Sequence, residues 1–324
     1  MALLSIENVG VTYHNSGQPV YAVRDVSFSI NKGHSVGVVG ESGSGKSTLM
    51  HAALRLLSPK VAAVTGRVLL EGQDIMTMDG AELSRTRWQK LAVVFQKSMN
   101  ALSPVHRIGA FMADIYRVHR PDASKSEALA KVQELLEMVS LPARVAKMYP
   151  HELSGGMMQR VSIALSLMFS PKLLILDEAT TALDVVTQTQ ILAEIKELER
   201  QLDLTRVMVT HDMSVVASTC DEVAILYAGK LVEHGPVMTV LVEPAHPYTR
   251  CLLQSFPDMV IESGRELMSI PGSLPDMRYP PQGCVFAPRC PDAMDICRET
   301  PPETAKLDER HSAACHLLKG DEGA

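Results

Sequence analysis

The chain has 324 residues, 46% of them hydrophobic, which suits a soluble domain of about 240 residues carrying a small appendage. A net charge of −6 gives no reason to expect nucleic acid or an anionic lipid surface as a partner. No apolar run reaches the length needed to cross a bilayer, and the first residues, MALLSIENVG, lack a basic leader and meet Glu7 almost at once, so the sequence predicts a cytoplasmic protein.

In chain order, the early segments read as β-rich, with apolar residues alternating at Val26, Phe28 and Ile30 and further strands around Gly66 to Leu70. The apolar run His34 to Gly40 reads as a buried strand, and the composition from Lys46 to Leu57 is helical until Ser58-Pro59. Between them lies GESGSGKST, which fits G-x-x-x-x-G-K-[ST] and reads as a P-loop. Gly40, Glu41, Ser42, Gly43, Ser44, Gly45, Lys46, Ser47 and Thr48 are its expected nucleotide contacts. Glycines without side chains let successive N–H groups wrap a triphosphate at a helix N-terminus, Lys46 reaches the β and γ phosphates, and the Ser47 hydroxyl ligates Mg²⁺. A glycine-rich turn before a helix is the alternative reading.

The apolar strand LAVVFQ ends at Gln96, and from Lys97 to Pro150 the pattern turns helical, with Ala110 to Val118 and Ser124 to Val139 the clearest runs. In LSGGMMQR, Ser154, Gly155 and Gly156 precede a helix expected from Met157 to Met168; a hydroxyl, bare N–H groups and a positive helix end make a phosphate site. The strand Lys172 to Leu176 then delivers Asp177 and Glu178 at its carboxyl end, Asp177 to hold Mg²⁺ and Glu178 to polarise the attacking water as general base. Alone, two acids after an apolar run would be an ordinary solvated strand end.

Together, the P-loop, LSGGMMQR and LLILDE resemble the ATP-binding cassette (ABC) ATPases over roughly residues 4–240. The resemblance implies an α/β P-loop NTPase cassette with a RecA-like mixed-sheet core, an antiparallel β subdomain and an inserted helical subdomain at about 97–165. It also implies further roles: Gln96 as the Q-loop residue touching Mg²⁺ and water, Thr181 to Asp184 as the D-loop, His211 as the switch histidine, and Tyr13 stacked on adenine. Ser154, Gly155 and Gly156 would close on ATP held by a second cassette, giving a head-to-tail homo- or heterodimer, while the helical subdomain would grip the coupling helices of transmembrane permease subunits. Met158, where relatives commonly carry Arg, and Ala179, where they usually have Pro, depart from the pattern without removing a chemical group.

After the hairpin-like VAILYAGKLVEHG, the segment EPAHPYTRCLL at Glu243 to Leu253 is similar to the His-Pro-Tyr-Thr element of the peptide and nickel importer ATPases. A proline-rich stretch from Pro271 to Pro302 follows, with Cys284, Cys290, Cys297 and Cys315 spaced C-x5-C-x6-C-x17-C. In a cytoplasmic chain such a group reads as metal ligands before disulfides, and ligation would replace a missing hydrophobic core. Oligopeptide and dipeptide importer ATPases, which this tail resembles, bind a [4Fe–4S] cluster there; zinc is one alternative, although the C-x2-C knuckles of zinc ribbons are lacking, and four unliganded thiols are the other. The cluster is expected to be structural and not part of the ATP chemistry, since it lies outside every nucleotide motif. Cys220 and Cys251 are expected to be small buried residues.

The expected organisation is a nucleotide-binding domain over residues 1–240 and an importer-type, cysteine-rich C-terminal region over 241–324. The expected function is the ATP-hydrolysing subunit, peripheral on the cytoplasmic face of the membrane, of an importer for di- or oligopeptides that acts indirectly with an extracytoplasmic solute-binding protein. Importers of nickel or another small solute, and non-transport ABC ATPases, are the alternatives. The latter usually carry tandem cassettes or coiled-coil insertions, whereas this chain has one P-loop and no heptad run.

Overall fold

The computed structural model of the chain describes residues 2–14, 17–95, 102–179, 183–255 and 270–319. In chain order the principal elements are β1 (Ala2–Tyr13), β2 (Val20–Asn31), β3 (Ser35–Val39), α1 (Lys46–Ala53), β4 (Ala62–Leu70), β5 (Gln73–Asp74), α2 (Gly80–Gln89), β6 (Leu91–Val94), α3 (Ile108–His119) and α4 (Lys125–Met138). They continue with α5 (Gly155–Ser166), β7 (Leu173–Asp177), α6 (Val185–Leu202), β8 (Thr205–Thr210), α7 (Met213–Thr219), β9 (Glu222–Tyr227), β10 (Lys230–Pro236), α8 (Val237–Val242) and α9 (Pro247–Gln254). Two short strands, β11 (Ala305–Lys306) and β12 (Ser312–Ala313), close the series. These elements gather into two compact units, one made of Met1–Asp79 with Val207–Ala324, the other of Gly80–Arg206.

In the first unit, β2, β1, β4 and β5 form an antiparallel sheet in that order. The alternation read at Val26, Phe28 and Ile30 is the inward face of β2, with the intervening residues exposed, as a sheet with one solvated side requires. A second sheet runs β11-β12-β10-β9-β3-β8, with β3 and β9 parallel and the β9/β10 hairpin antiparallel. β3 and β9 are buried along their whole length, which is why Val36 to Val39 and Val223 to Tyr227 carry no exposed polar position. A core of Val223, Ile225, Tyr227, Val240, Tyr248, Leu252 and Phe286 continues from this sheet into the C-terminal segment.

The helix after the P-loop, expected to reach Leu57, stops at Ala53. Arg55 turns left-handed at φ 53°, the Leu56 N–H reaches back to the His51 carbonyl, and the Arg55 guanidinium donates to the Ile75 and Met78 carbonyls. A tertiary anchor thus ends the helix before composition does.

The second unit contains the parallel pair β6 and β7 and the helical segment. Here α3 and α4 cover the expected runs to within two residues, and the Ser124 hydroxyl accepts the Glu127 N–H at 3.1 Å to start α4. α5 begins at Gly155, two residues before the expected start, because the Ser154 side chain caps it. Arg206 is almost completely buried beside Glu199, which compensates its charge.

Candidate nucleotide-binding site

β3 leads straight into the P-loop, and the loop is tied down from several sides of the first unit. Gly45, the residue preceding α1, sits at φ +100°, where a Cβ would lie 2.5 Å from the Ala22 carbonyl oxygen. Only glycine fits that conformation and that approach. The Gly229 N–H, in the turn of the β9/β10 hairpin, donates to the Ser44 carbonyl at 2.9 Å. Lys46 is 5% exposed and curls its ammonium back to the carbonyls of Gly40 at 2.8 Å and Glu41 at 2.9 Å. Glu41 and Thr48 are half-buried and Ser42 and Gly43 exposed, so the crest of the loop is open to a ligand.

Tyr13, at the end of β1, lies with its hydroxyl 3.3 Å from the Thr48 hydroxyl, joining the aromatic expected at adenine to the first turn of α1. His211 follows β8 directly and is exposed. Gln96 and Thr181 lie outside the described residues.

The second unit carries the acidic pair and the signature segment. Asp177 is the buried last residue of β7, and Glu178 is half-buried at φ 48°. A non-glycine residue held left-handed at a strand end is the kind of backbone strain that concentrates at functional sites. The Ser154 hydroxyl accepts the Met157 N–H at 3.3 Å, which sets the start of α5. Gly156 has a packing role as well, because a Cβ there would meet Thr187 Cγ2 at 2.6 Å. Asp184 is the N-cap of α6: its carboxylate accepts the Thr187 N–H at 2.9 Å and the Thr187 hydroxyl at 2.7 Å. Those bonds hold its carboxyl below the usual range, a structural function that needs no nucleotide.

In the first unit Cys284, Cys290, Cys297 and Cys315 line one cavity together with His246 and Phe286, and all four are free thiols. Burial pushes the Cys290 thiol up to about 11 and raises those of Cys284 and Cys315. Among the described residues, no three His, Cys, Asp or Glu side chains stand close enough together to hold a metal ion. The four cysteines thus line one cavity without forming a metal-ligating group among the described residues. Cys220 and Cys251, expected to be buried, are half-buried against the same core.

Two residues escaped the sequence reading. The Glu41 N–H donates to the Tyr248 hydroxyl at 3.0 Å, and Arg289 Nη1 meets both Glu41 carboxylate oxygens at 3.1 and 3.0 Å. Tyr248 was legible as part of the His-Pro-Tyr-Thr element but not as a P-loop contact, and nothing local marks Arg289. These bonds join the C-terminal segment to the P-loop between residues far apart in sequence.

The sequence profile described as "ABC transporter" matches residues 23–181, and that described as "Oligopeptide/dipeptide transporter, C-terminal region" matches 232–297. The chain is 41% identical over 303 residues to the oligopeptide transport ATP-binding protein OppD of Escherichia coli, covering 93% of this chain and 89% of that protein. It is 40% identical over 318 residues to the dipeptide transport ATP-binding protein DppD of Caldanaerobacter subterraneus, covering 98% and 97%. Among solved structures, a dimeric post-hydrolysis state of the cassette MJ0796 bound to ADP and Pi aligns with a TM-score of 0.64 at 31% identity, over 72% of this chain and 98% of that one. The cbiO1 subunit of Clostridium perfringens, part of an ABC transporter complex, aligns with a TM-score of 0.65 at 26% identity, over 75% and 91%. No described helix is long and apolar enough to cross a membrane. With its mixed and antiparallel sheets, its P-loop and these likenesses over nearly its whole length, the chain belongs to the ATP-binding proteins of the oligopeptide/dipeptide ABC transporter family.

Proposed function

We propose that this chain is the ATP-binding and ATP-hydrolysing subunit of a membrane importer, and that its cargo is di- or oligopeptides. The observation that carries the reading is the P-loop: a glycine-built turn at the end of a buried strand, with Lys46 drawn into it and an open crest above. The likeness to OppD and DppD supports the peptide assignment. In this reading the N–H groups from Gly43 to Thr48 wrap the phosphates, and Lys46 leaves its two carbonyl acceptors for the β and γ oxygens. Tyr13 supports the adenine. Ser47, Asp177 and Gln96 take Mg²⁺, which when bound neutralises charge developing on the transferred phosphoryl group. Glu178 accepts the proton of the attacking water, and His211 contacts the γ-phosphate region.

Ser154, Gly155 and Gly156 act on the ATP of a second cassette, with Asp184 at the same seam, so that a head-to-tail dimer closes on two nucleotides. The dimeric MJ0796 cassette favours this arrangement. Against permease subunits the second unit offers an aromatic surface in which Trp88, His119 and Phe169 pack tilted and edge-on beside Arg85 and Arg120 around a cavity of about 230 Å³. An amphipathic coupling helix suits that chemistry. These contacts would hold the protein peripherally on the cytoplasmic face, in the organisation of a nucleotide-binding domain over 1–240 and a C-terminal region over 241–324.

The four cysteines of that region are further proposed to take a [4Fe–4S] cluster, with zinc as the alternative ion. The donor chemistry fits, four thiols lining one cavity, and since the described residues form no metal-ligating group as they stand, binding requires the thiols to rearrange and lose their protons. Iron, zinc and acid-labile sulfide analysis of anoxically purified chain tests this; absence of both metals would end it. The importer reading is tested by pull-down of tagged chain from detergent-solubilised membranes with mass spectrometry. Recovery of polytopic permeases with a second cassette is the expected result, and recovery of only ribosomal or DNA-maintenance proteins would contradict it.

A further inference from the structure

Arg289 occupies a junction. It closes the short 3₁₀ turn Ala287–Arg289, one residue before Cys290, and its side chain is 6% exposed. Besides the two bonds to Glu41, Nη1 donates to the Tyr227 hydroxyl at 3.2 Å, Nε to the Pro271 carbonyl at 2.7 Å and Nη2 to the Ile270 carbonyl at 3.2 Å. One guanidinium thus fastens the start of the C-terminal segment, the end of β9 and the first variable residue of the P-loop.

The joint is backed by aromatic packing. Tyr227, Tyr248 and Phe286 form a cluster with ring centroids 4.6 to 5.3 Å apart, and Phe286 is also a wall of the cysteine cavity. Tyr248 accepts the Glu41 N–H, while the Glu41 carbonyl accepts from Lys46. Leu274, from the same C-terminal segment, lies 3.5 Å from where a Cβ on Gly43 would sit. Backbone, carboxylate and carbonyl of Glu41 are therefore all committed, which fixes where Lys46 starts its reach. Arg289 also offsets a carboxylate that would otherwise stand beside incoming phosphates.

On the reading that the P-loop binds ATP, we propose that Arg289 is a positioning residue of that loop, through which the cysteine-rich C-terminal segment sets the affinity for nucleotide. Nothing in the reaction passes through Arg289; it acts by holding Glu41, and Glu41 by holding Lys46.

The test is calorimetric titration of the full chain with Mg·ATP, with thermal unfolding run alongside, on wild type, Arg289→Ala, Arg289→Lys, Glu41→Gln and the Arg289→Ala/Glu41→Gln double variant. Because Glu41 is partly exposed and the pair is screened, Arg289→Ala is expected to raise the Kd roughly threefold to tenfold. Arg289→Lys should recover part of that loss. The double variant should bind no worse than the weaker single variant, since both break one link. Folded Arg289→Ala with wild-type affinity, or Arg289→Ala and Glu41→Gln losses that multiply, would overturn the proposal. If Arg289→Ala does not fold, Tyr248→Phe, which removes the acceptor of the Glu41 N–H, must raise the Kd; unchanged affinity there overturns the proposal equally. Wild type that binds no Mg·ATP would instead remove the P-loop reading on which it rests.

Discussion

Gly156, in the signature segment, is expected to be required for packing independently of nucleotide. An added Cβ would lie 2.6 Å from Thr187 Cγ2, an overlap of about 1 Å against ordinary carbon contacts. Thr187 cannot easily rotate its methyl away, because its hydroxyl donates to Asp184 at 2.7 Å. Overpacking of this kind costs about 1–3 kcal/mol, offset by about 0.5–1 kcal/mol from replacing a helical glycine. Gly156→Ala should therefore lose about 1–2 kcal/mol, or about 1.5–3 °C in unfolding temperature for a chain of 324 residues. Thr187→Ser removes the methyl and keeps the hydroxyl, at about 0.8 kcal/mol. In the double variant the clash is gone, so thermal unfolding without nucleotide should recover most of the Gly156→Ala loss. If the two losses simply add, the steric argument is wrong.

Lys46→Ala should weaken Mg·ATP binding at least about tenfold, since it removes a charge-assisted contact to phosphate, and titration calorimetry will read it. Glu222 is 5% exposed, and the His234 imidazole, 3.4 Å from its carboxylate, holds it below the usual carboxylate range. Its folded-state pKa being the lower one, its contribution is complete above the ordinary value of 4.5 and is lost as the pH falls through the depressed one. Glu222→Gln should flatten the acid limb of the stability curve below pH 4.5, and an unchanged limb would refute the pairing.

Much of the framework was readable because periodicity and burial coincide. β3 and β7 are buried on all sides and read as apolar runs; β2 has one wet face and alternates; α3 and α4 keep their helical spacing to within two residues of the expected ends. What stayed hidden depends on partners distant in sequence. The end of α1 is set by Arg55 reaching the Ile75 and Met78 carbonyls, which composition does not encode. Arg289 finds Glu41 across 248 positions, so no local pattern marks the pair. Asp184 could be read as a D-loop residue from its motif, yet its cap on α6 emerges only when Thr187 is seen beneath it. The cysteines were legible as a group because all four fall between residues 284 and 315, whereas the part that His246 and Pro247 play in closing their cavity was not.

In the proposed function, ATP hydrolysis by this chain drives import, with Glu178 as the general base. The measurement that bears on it most directly is phosphate release by the complex of the chain with its co-purified membrane partners, reconstituted in liposomes, for wild type and Glu178→Gln. Wild type should hydrolyse Mg·ATP, and Glu178→Gln should retain ATP binding with turnover reduced at least about a hundredfold. Wild-type turnover in a folded Glu178→Gln complex, or no hydrolysis by a wild-type complex that binds ATP, would contradict that proposal.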